Sequence, residues 1–96
     1  SFQVAATMFP DDPIANLNAG AMEIQKGGDL TTAKKHLAKA DQKAPETLNN
    51  QGVIALLEGD YDAAEKYFNA AKAGGLTTQA DTNMKQLKSI RNYPKE

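Results

Sequence analysis

The sequence has no cysteine, no tryptophan and a single histidine among its 96 residues. The lack of cysteine excludes disulfides and thiolate-bound metals, and one histidine offers no second imidazole for a metal site. Aromatic residues make up only 6% of the chain, and valine and isoleucine are scarce, which favours helices over strands. No apolar run approaches the roughly 20 residues that span a bilayer, so we expect no membrane insertion.

The chain also lacks an excess of either charge. Its 11 basic and 12 acidic residues give a formal net charge of −1. A nearly neutral chain has no electrostatic basis for binding nucleic acid, and we expect none as a partner. The contents of 41% hydrophobic and 24% charged residues are ordinary for a globular chain, so we expect residues 1–96 to form one domain.

Glycine, aspartate and proline divide the rest into segments. The stretches KGGD (26–29) and EGD (58–60) each predict a tight turn, in which glycine ends one helix and aspartate caps the next. Pro13 and Pro45 predict helix starts near 12–14 and 45–46, because proline suits the first helical turn. Between these marks, apolar residues recur at steps of three and four, which is helical spacing. The predicted helices are 13–26, 30–41, 46–58, 61–73 and 78–91.

One phrase occurs twice, as GDLTTAKKHLAKA at 28–40 and as GDYDAAEKYFNAA at 59–71. Gly59 follows Gly28 by 31 residues, and at that offset large residues match large ones and small match small. We expect the small residues to let paired helices approach closely, and Phe68 to be the most buried aromatic. The matched pairs are Leu30 with Tyr61, Ala33 with Ala64, Leu37 with Phe68 and Ala21 with Gly52.

These residues resemble the tetratricopeptide-repeat (TPR) family, whose second helix carries alanine and then an aromatic four residues later. Ala64 and Phe68 match that pattern, and Gly52 stands at the glycine of the first helix, although Leu48 replaces the family's tryptophan. The resemblance implies an all-α fold of antiparallel helical hairpins stacked in a right-handed superhelix. Its expected parts are a closing helix of a partial repeat at 1–10, repeats at 12–42 and 45–74, and a capping helix at 77–92.

In this family the first helices of successive hairpins line a groove that holds a partner. The resemblance therefore implies a non-catalytic protein–protein interaction scaffold that binds a peptide segment or a neighbouring domain. Amide side chains there can hydrogen-bond an extended peptide backbone, although the same residues can simply solvate a helix. A carboxylate clamp looks absent, because Asn18 and Met22 stand where lysine and asparagine are expected. The groove positions carried over are Asn18, Met22, Gln25, Glu46, Asn49, Val53 and Leu56, with Gln79, Asn83 and Gln86 as an extension.

A narrower resemblance supports an alternative. The stretch FPDDPIANLNAGA with GGDLTTAKKHLAKA is similar to C-terminal repeat regions of outer-membrane-associated proteins of Bacteroides-type bacteria. That similarity implies a structural spacer or docking module of a larger bacterial envelope protein, with no free ligand, in the periplasm or at the outer membrane. A half hairpin at the start would leave Phe2 and Phe9 uncovered, so we expect a cut from a larger protein or self-association there.

No catalytic set emerges from the sequence. His36 is either a base or metal ligand or, more simply, a solvated side chain on a lysine-rich helix face. Asp11 and Asp12 are either a cation site or the cap of a helix start. Catalysis needs converging acid and base groups, and no motif supplies them. We therefore expect no enzyme activity, no metal and no cofactor.

Overall fold

The computed structural model describes residues 12–92, which form five α-helices and no strand. The all-α prediction is confirmed. The expected closing helix at 1–10, with Phe2 and Phe9, lies outside the described residues. Numbered in chain order, the helices are α1 (Pro13–Gln25), α2 (Leu30–Ala38), α3 (Pro45–Leu57), α4 (Tyr61–Ala73) and α5 (Thr77–Arg91).

The helix starts follow the predicted signals. Pro13 and Pro45 are the first residues of α1 and α3. Asp12, Asp29 and Asp60 precede α1, α2 and α4, and a side-chain oxygen of each accepts a backbone N–H of the first turn, at 3.0, 2.9 and 3.2 Å. These bonds satisfy donors that a helix start leaves without an intrahelical partner.

Consecutive helices pack as antiparallel pairs. Near the start of α1, the Asn16 side-chain oxygen lies 3.1 Å from Nδ1 of His36, near the end of α2. At the end of α5, Arg91 contacts Asp62 at the start of α4, at 2.7 Å. Helices α3 and α4, joined by the turn at 58–60, form the hairpin between them.

The predicted small residues of the second helices lie where the helices meet. Ala33 on α2 and Ala64 on α4 have no exposed surface, and Phe68 is also fully buried. The two glycine–aspartate turns lie between helices, at the ends of α1 and α3. In both hairpins, therefore, an alanine of the second helix is buried at the contact between helices.

The hairpins stack through equivalent contacts. Ile54 of α3 packs in one buried cluster with Leu37 of the first hairpin. Leu87 of α5 packs in another buried cluster with Phe68 of the second hairpin. Each odd-numbered helix after α1 therefore covers the apolar surface of the hairpin that precedes it.

The predicted match between Gly28 and Gly59 is wrong. In these two turns the glycines with left-handed backbone are Gly27 (φ 70°) and Gly59 (φ 82°), which lie 32 residues apart. The capping aspartates Asp29 and Asp60 lie 31 apart. The first turn therefore contains one residue more than the second, so a single offset cannot describe both helices of the hairpin.

A buried carboxylate accommodates the extra residue. In the shorter turn, the N–H of Asp60 donates to the backbone oxygen of Ala55, at 2.9 Å. In the longer turn, Gly28 makes the corresponding bond to the backbone oxygen of Glu23, which leaves the N–H of Asp29 as an additional donor. That N–H donates to Oε1 of Glu23, 2.9 Å away, and Glu23 is only 6% exposed. A buried backbone donor without such a partner would destabilise the turn.

The extra residue also changes the match between α1 and α3. Gly20, not Ala21, is the counterpart of Gly52, so the prediction for Ala21 is wrong. A Cβ atom on Gly20 would lie 2.8 Å from the Leu37 side chain, and one on Gly52 would lie 2.5 Å from the Phe68 ring. Both glycines allow a large residue of the second helix to contact the backbone of the first.

Candidate binding surface

The predicted groove residues do not form one open surface. Asn49 and Leu56 are only 6% and 8% exposed, so the expected exposure of these two is wrong. The reason is the packing of α5 against α3: Leu56 joins the cluster that holds Leu87, and Asn83 donates to the side-chain oxygen of Asn49 at 2.9 Å. Of the others, Gln25 and Glu46 are exposed, and Asn18, Met22 and Val53 are half-buried.

The α1 part of the predicted groove is displaced by one residue. With an offset of 32 set by Gly20 and Gly52, Met22 corresponds to Ile54. Ile54 packs against the preceding hairpin, so the equivalent position on α1 is not on the side that carries Val53. The corrected matches are Asn18 with Asn50, Ala21 with Val53 and Gln25 with Leu57.

An open face remains on the odd-numbered helices. Successive residues of an α-helix advance by about 100°, so Asn50, Val53 and Leu57 point in directions within about 60° of one another. Leu57 is exposed, whereas Asn50 and Val53 are half-buried, and Val53 also packs against the core around Phe68.

The same face continues on the neighbouring odd-numbered helices. On α5, Leu87 covers the preceding hairpin as Ile54 does on α3. Each residue of α5 therefore corresponds to the residue of α3 that lies 33 positions earlier. We call the resulting nine residues the odd-helix face. They are Asn18, Ala21 and Gln25 on α1, Asn50, Val53 and Leu57 on α3, and Asn83, Gln86 and Ile90 on α5, and none of them is buried.

The odd-helix face combines a row of amides with an apolar pair. Asn18, Asn50 and Asn83 occupy the same position on three successive odd-numbered helices. Leu57 and Ile90 are 59% and 46% exposed and occupy the same position near the ends of α3 and α5. The sequence contained this signal, but the one-residue shift in register paired Asn18 with Asn49 instead of Asn50.

A separate cleft lies between α2, α3 and α4. Its volume is about 300 Å³. Across it, Nζ of Lys34 on α2 lies 2.7 Å from Oε2 of Glu58, just after α3. Apolar, charged and aromatic side chains all contribute to its walls. They are Lys34, Leu37, Gln51, Ile54, Ala55, Glu58, Asp60, Ala63 and Tyr67.

His36 has a structural partner. It is half-buried, and its Nδ1 lies 3.1 Å from the side-chain oxygen of Asn16, which is 1% exposed. The Asn16 amide in turn donates to the backbone oxygen of Asp12 at 2.9 Å. Asp12 itself caps α1. These bonds tie the start of α1 to the end of α2, so the simple solvated interpretation of His36 is wrong.

None of the helices in the part of the chain that the structure describes has the length and hydropathy to cross a bilayer. Comparison of the chain with protein-family models, with curated proteins and with solved structures finds no match. The assignment of function therefore depends on the residues and contacts described above.

Proposed function

We propose that this chain is a non-catalytic, protein-binding array of the TPR type, which holds an extended peptide segment of a partner across its odd-helix face. One observation carries the proposal: Asn18, Asn50 and Asn83 occupy the same position on three successive odd-numbered helices. A side-chain amide offers both donors and an acceptor, so a row of amides can bond both polar groups of a peptide backbone.

Two of these amides are available for a partner. Within residues 12–92, the side chains of Asn18 and Asn50 make no hydrogen bond to the protein, while Asn83 is oriented by its bond to Asn49. Both residues are half-buried and not closed off, so a ligand can reach their amides.

The apolar pair would provide much of the affinity. Leu57 and Ile90 are large apolar side chains, and about half of the surface of each is exposed to solvent. Covering one such side chain with a partner contributes up to about 1.5–3 kcal/mol. An apolar side chain of the bound peptide would contact this pair while its backbone bonds the asparagine row.

The repeated stacking supports the choice of a TPR-type array. Leu37 with Ile54, and Phe68 with Leu87, are equivalent contacts between a hairpin and the next odd-numbered helix. Equivalent layers of this kind present the same face of successive helices in register. A right-handed superhelical stack would arrange these faces as a concave surface.

The proposal is tested by selecting binders from a displayed library of random peptides. Dissociation constants are then measured for the enriched sequences. Leu57→Lys and Ile90→Lys should each weaken binding by about 10-fold or more, because each variant loses the free energy of burying one apolar side chain against the peptide. Asn69→Lys, which adds the same charge at an exposed position of α4, should bind like the parent chain.

Two results would contradict the proposal. One is a selection that enriches no peptide above background, which would favour the structural spacer without a free ligand. The other is equal binding by Leu57→Lys and Asn69→Lys with the helical content of both unchanged, which would remove the odd-helix face from the binding site.

A further inference from the structure

We propose that the cleft between α2, α3 and α4 binds a positively charged group on an aliphatic stem, namely the arginine or lysine side chain of a protein partner. The inner surface of the cleft includes Leu37, Ile54 and Ala55, which are buried and apolar. Its rim carries the carboxylates of Glu58 and Asp60.

These walls match the two parts of a long cationic side chain. Arginine and lysine place an apolar stem on apolar surface and keep the charged head at a polar edge. A carboxylate such as that of Glu58 accepts strong, charge-assisted hydrogen bonds from such a head. Tyr67, on the same cleft, adds an aromatic ring, which attracts cations to its face. The volume of about 300 Å³ is at the lower end of ligand pockets, which suits one side chain.

The protein already places a cation at this point. Nζ of Lys34 lies 2.7 Å from Oε2 of Glu58, while the two side chains are 54% and 37% exposed. An exposed ion pair of this kind contributes only about 0–1 kcal/mol, so an incoming cation can replace it at low cost. Lys34 therefore acts as a weak internal competitor for the ligand.

The cleft is independent of the odd-helix face. Ile54 and Glu58 line the cleft, whereas Val53 and Leu57, each one residue earlier, belong to the odd-helix face. Adjacent residues of a helix point about 100° apart, so the two surfaces lie on different sides of α3. A partner can occupy one of them without covering the other.

In the test, a blocked peptide is titrated into the full 96-residue chain, and binding is monitored through the amide chemical shifts in ¹⁵N-resolved NMR spectra. The probe is the blocked peptide Gly-Arg-Gly, and its neutral isostere is Gly-citrulline-Gly. The arginine peptide should shift the amides of Ala55 and Ala63, and the citrulline peptide should not. Butylguanidinium, a free compound with the same single charge, separates a small-molecule ligand from a protein side chain.

Variants assign the interaction to named groups. Glu58→Gln should weaken binding of the arginine peptide by about tenfold, because the charge-assisted bond is lost. Lys34→Gln should tighten binding by up to about fivefold, because the internal competitor is removed. Lys35→Gln, a neighbouring exposed lysine outside the cleft, is the matched control and should have no effect.

Three outcomes would overturn the proposal. The first is the absence of any shift at millimolar arginine peptide in a chain with the parent's spectral dispersion. The second is equal binding of the citrulline peptide, which would show that charge is not recognised. The third is tighter binding of butylguanidinium than of the peptide, which would assign the cleft to a free small molecule.

Discussion

Replacing Gly52 by alanine tests the close contact that defines each hairpin. Gly52 lies inside α3, opposite the fully buried ring of Phe68. An added Cβ would lie 2.5 Å from Cε1 and 2.7 Å from Cδ1 of that ring. Either the ring or the helix must move to accept the methyl group, since real Cβ atoms essentially never approach other heavy atoms so closely.

Two effects of opposite sign decide the magnitude. Alanine is favoured over glycine inside a helix by about 1 kcal/mol. Overpacking a well-filled core costs about 1–3 kcal/mol, and a rigid aromatic ring without room to turn places this site at the upper end. The expected net loss is about 2 kcal/mol of unfolding free energy, a fall in melting temperature of roughly 10 °C for a domain of this size.

Urea unfolding followed by far-ultraviolet circular dichroism measures this loss. Ala70→Gly, at an exposed position of α4, calibrates the helix-propensity term, since no core contact changes there. It should destabilise by about 1 kcal/mol. A Gly52→Ala chain as stable as the parent, or more stable, would refute the close contact between α3 and Phe68.

Three further predictions concern stability. Thr47→Val should raise the unfolding free energy by about 1 kcal/mol in urea titrations, because the buried Thr47 hydroxyl has no hydrogen-bond partner among the described residues; no gain would show that the hydroxyl is satisfied in solution. Arg91→Gln should lower stability by about 1 kcal/mol in low salt and by less in high salt, because Arg91 lies 2.7 Å from Asp62 and 3.0 Å from Glu65 at the surface; a salt-independent loss would contradict this. Amide hydrogen exchange should be slower in α3 and α4 than in α1 and α2, because α5 packs on the second hairpin through Leu87; the reverse order would contradict this.

The starts of the helices could be predicted from local chemistry, whereas α2 ends at Ala38 and not at 41 as predicted. Proline at a first helical position, aspartate as a cap and glycine in a turn each act within a few residues. For that reason Pro13, Pro45 and the turns before Asp29 and Asp60 were placed correctly from the sequence.

The register of α1 could not be predicted in this way. The first turn contains two adjacent glycines, and either can adopt the left-handed conformation without steric cost. Gly27 adopts this conformation in a turn where the N–H of Asp29 donates to the buried carboxylate of Glu23, six residues earlier in the chain. A repeat counted from Gly28 therefore shifts every matched residue of α1 by one.

The burial of Asn49 and Leu56 was missed for a different reason. Both depend on α5, which begins 28 residues after Asn49 and packs against α3. A family pattern gives the position of a residue on its own helix but not how far the next helix covers it. Only the contact with Asn83 and the shared cluster with Leu87 reveal that these positions are closed.

The two hairpins differ in the contacts that join their helices at the end far from the turn. In the first, Asn16 of α1 contacts His36 of α2 through a hydrogen bond. In the second, the corresponding residues are Leu48 and Tyr67, and both pack against the core around Phe68.

A typical internal hydrogen bond contributes about 0.5–1.5 kcal/mol net, whereas burying one large apolar side chain contributes about 1.5–3 kcal/mol. Leu48 and Tyr67 are only half-buried, and Asn16 bonds Asp12 as well as His36, so these contacts do not by themselves distinguish the two hairpins. The second hairpin packs against the first on one side and against α5, through Leu87, on the other, whereas the contacts of the first hairpin within residues 12–92 are with the second. In a stack where each layer contacts only its neighbours, the stability of a layer is the sum of its internal contacts and its contacts with adjacent layers. The second hairpin should therefore open less often than the first, which is the physical reason for slower amide exchange in α3 and α4.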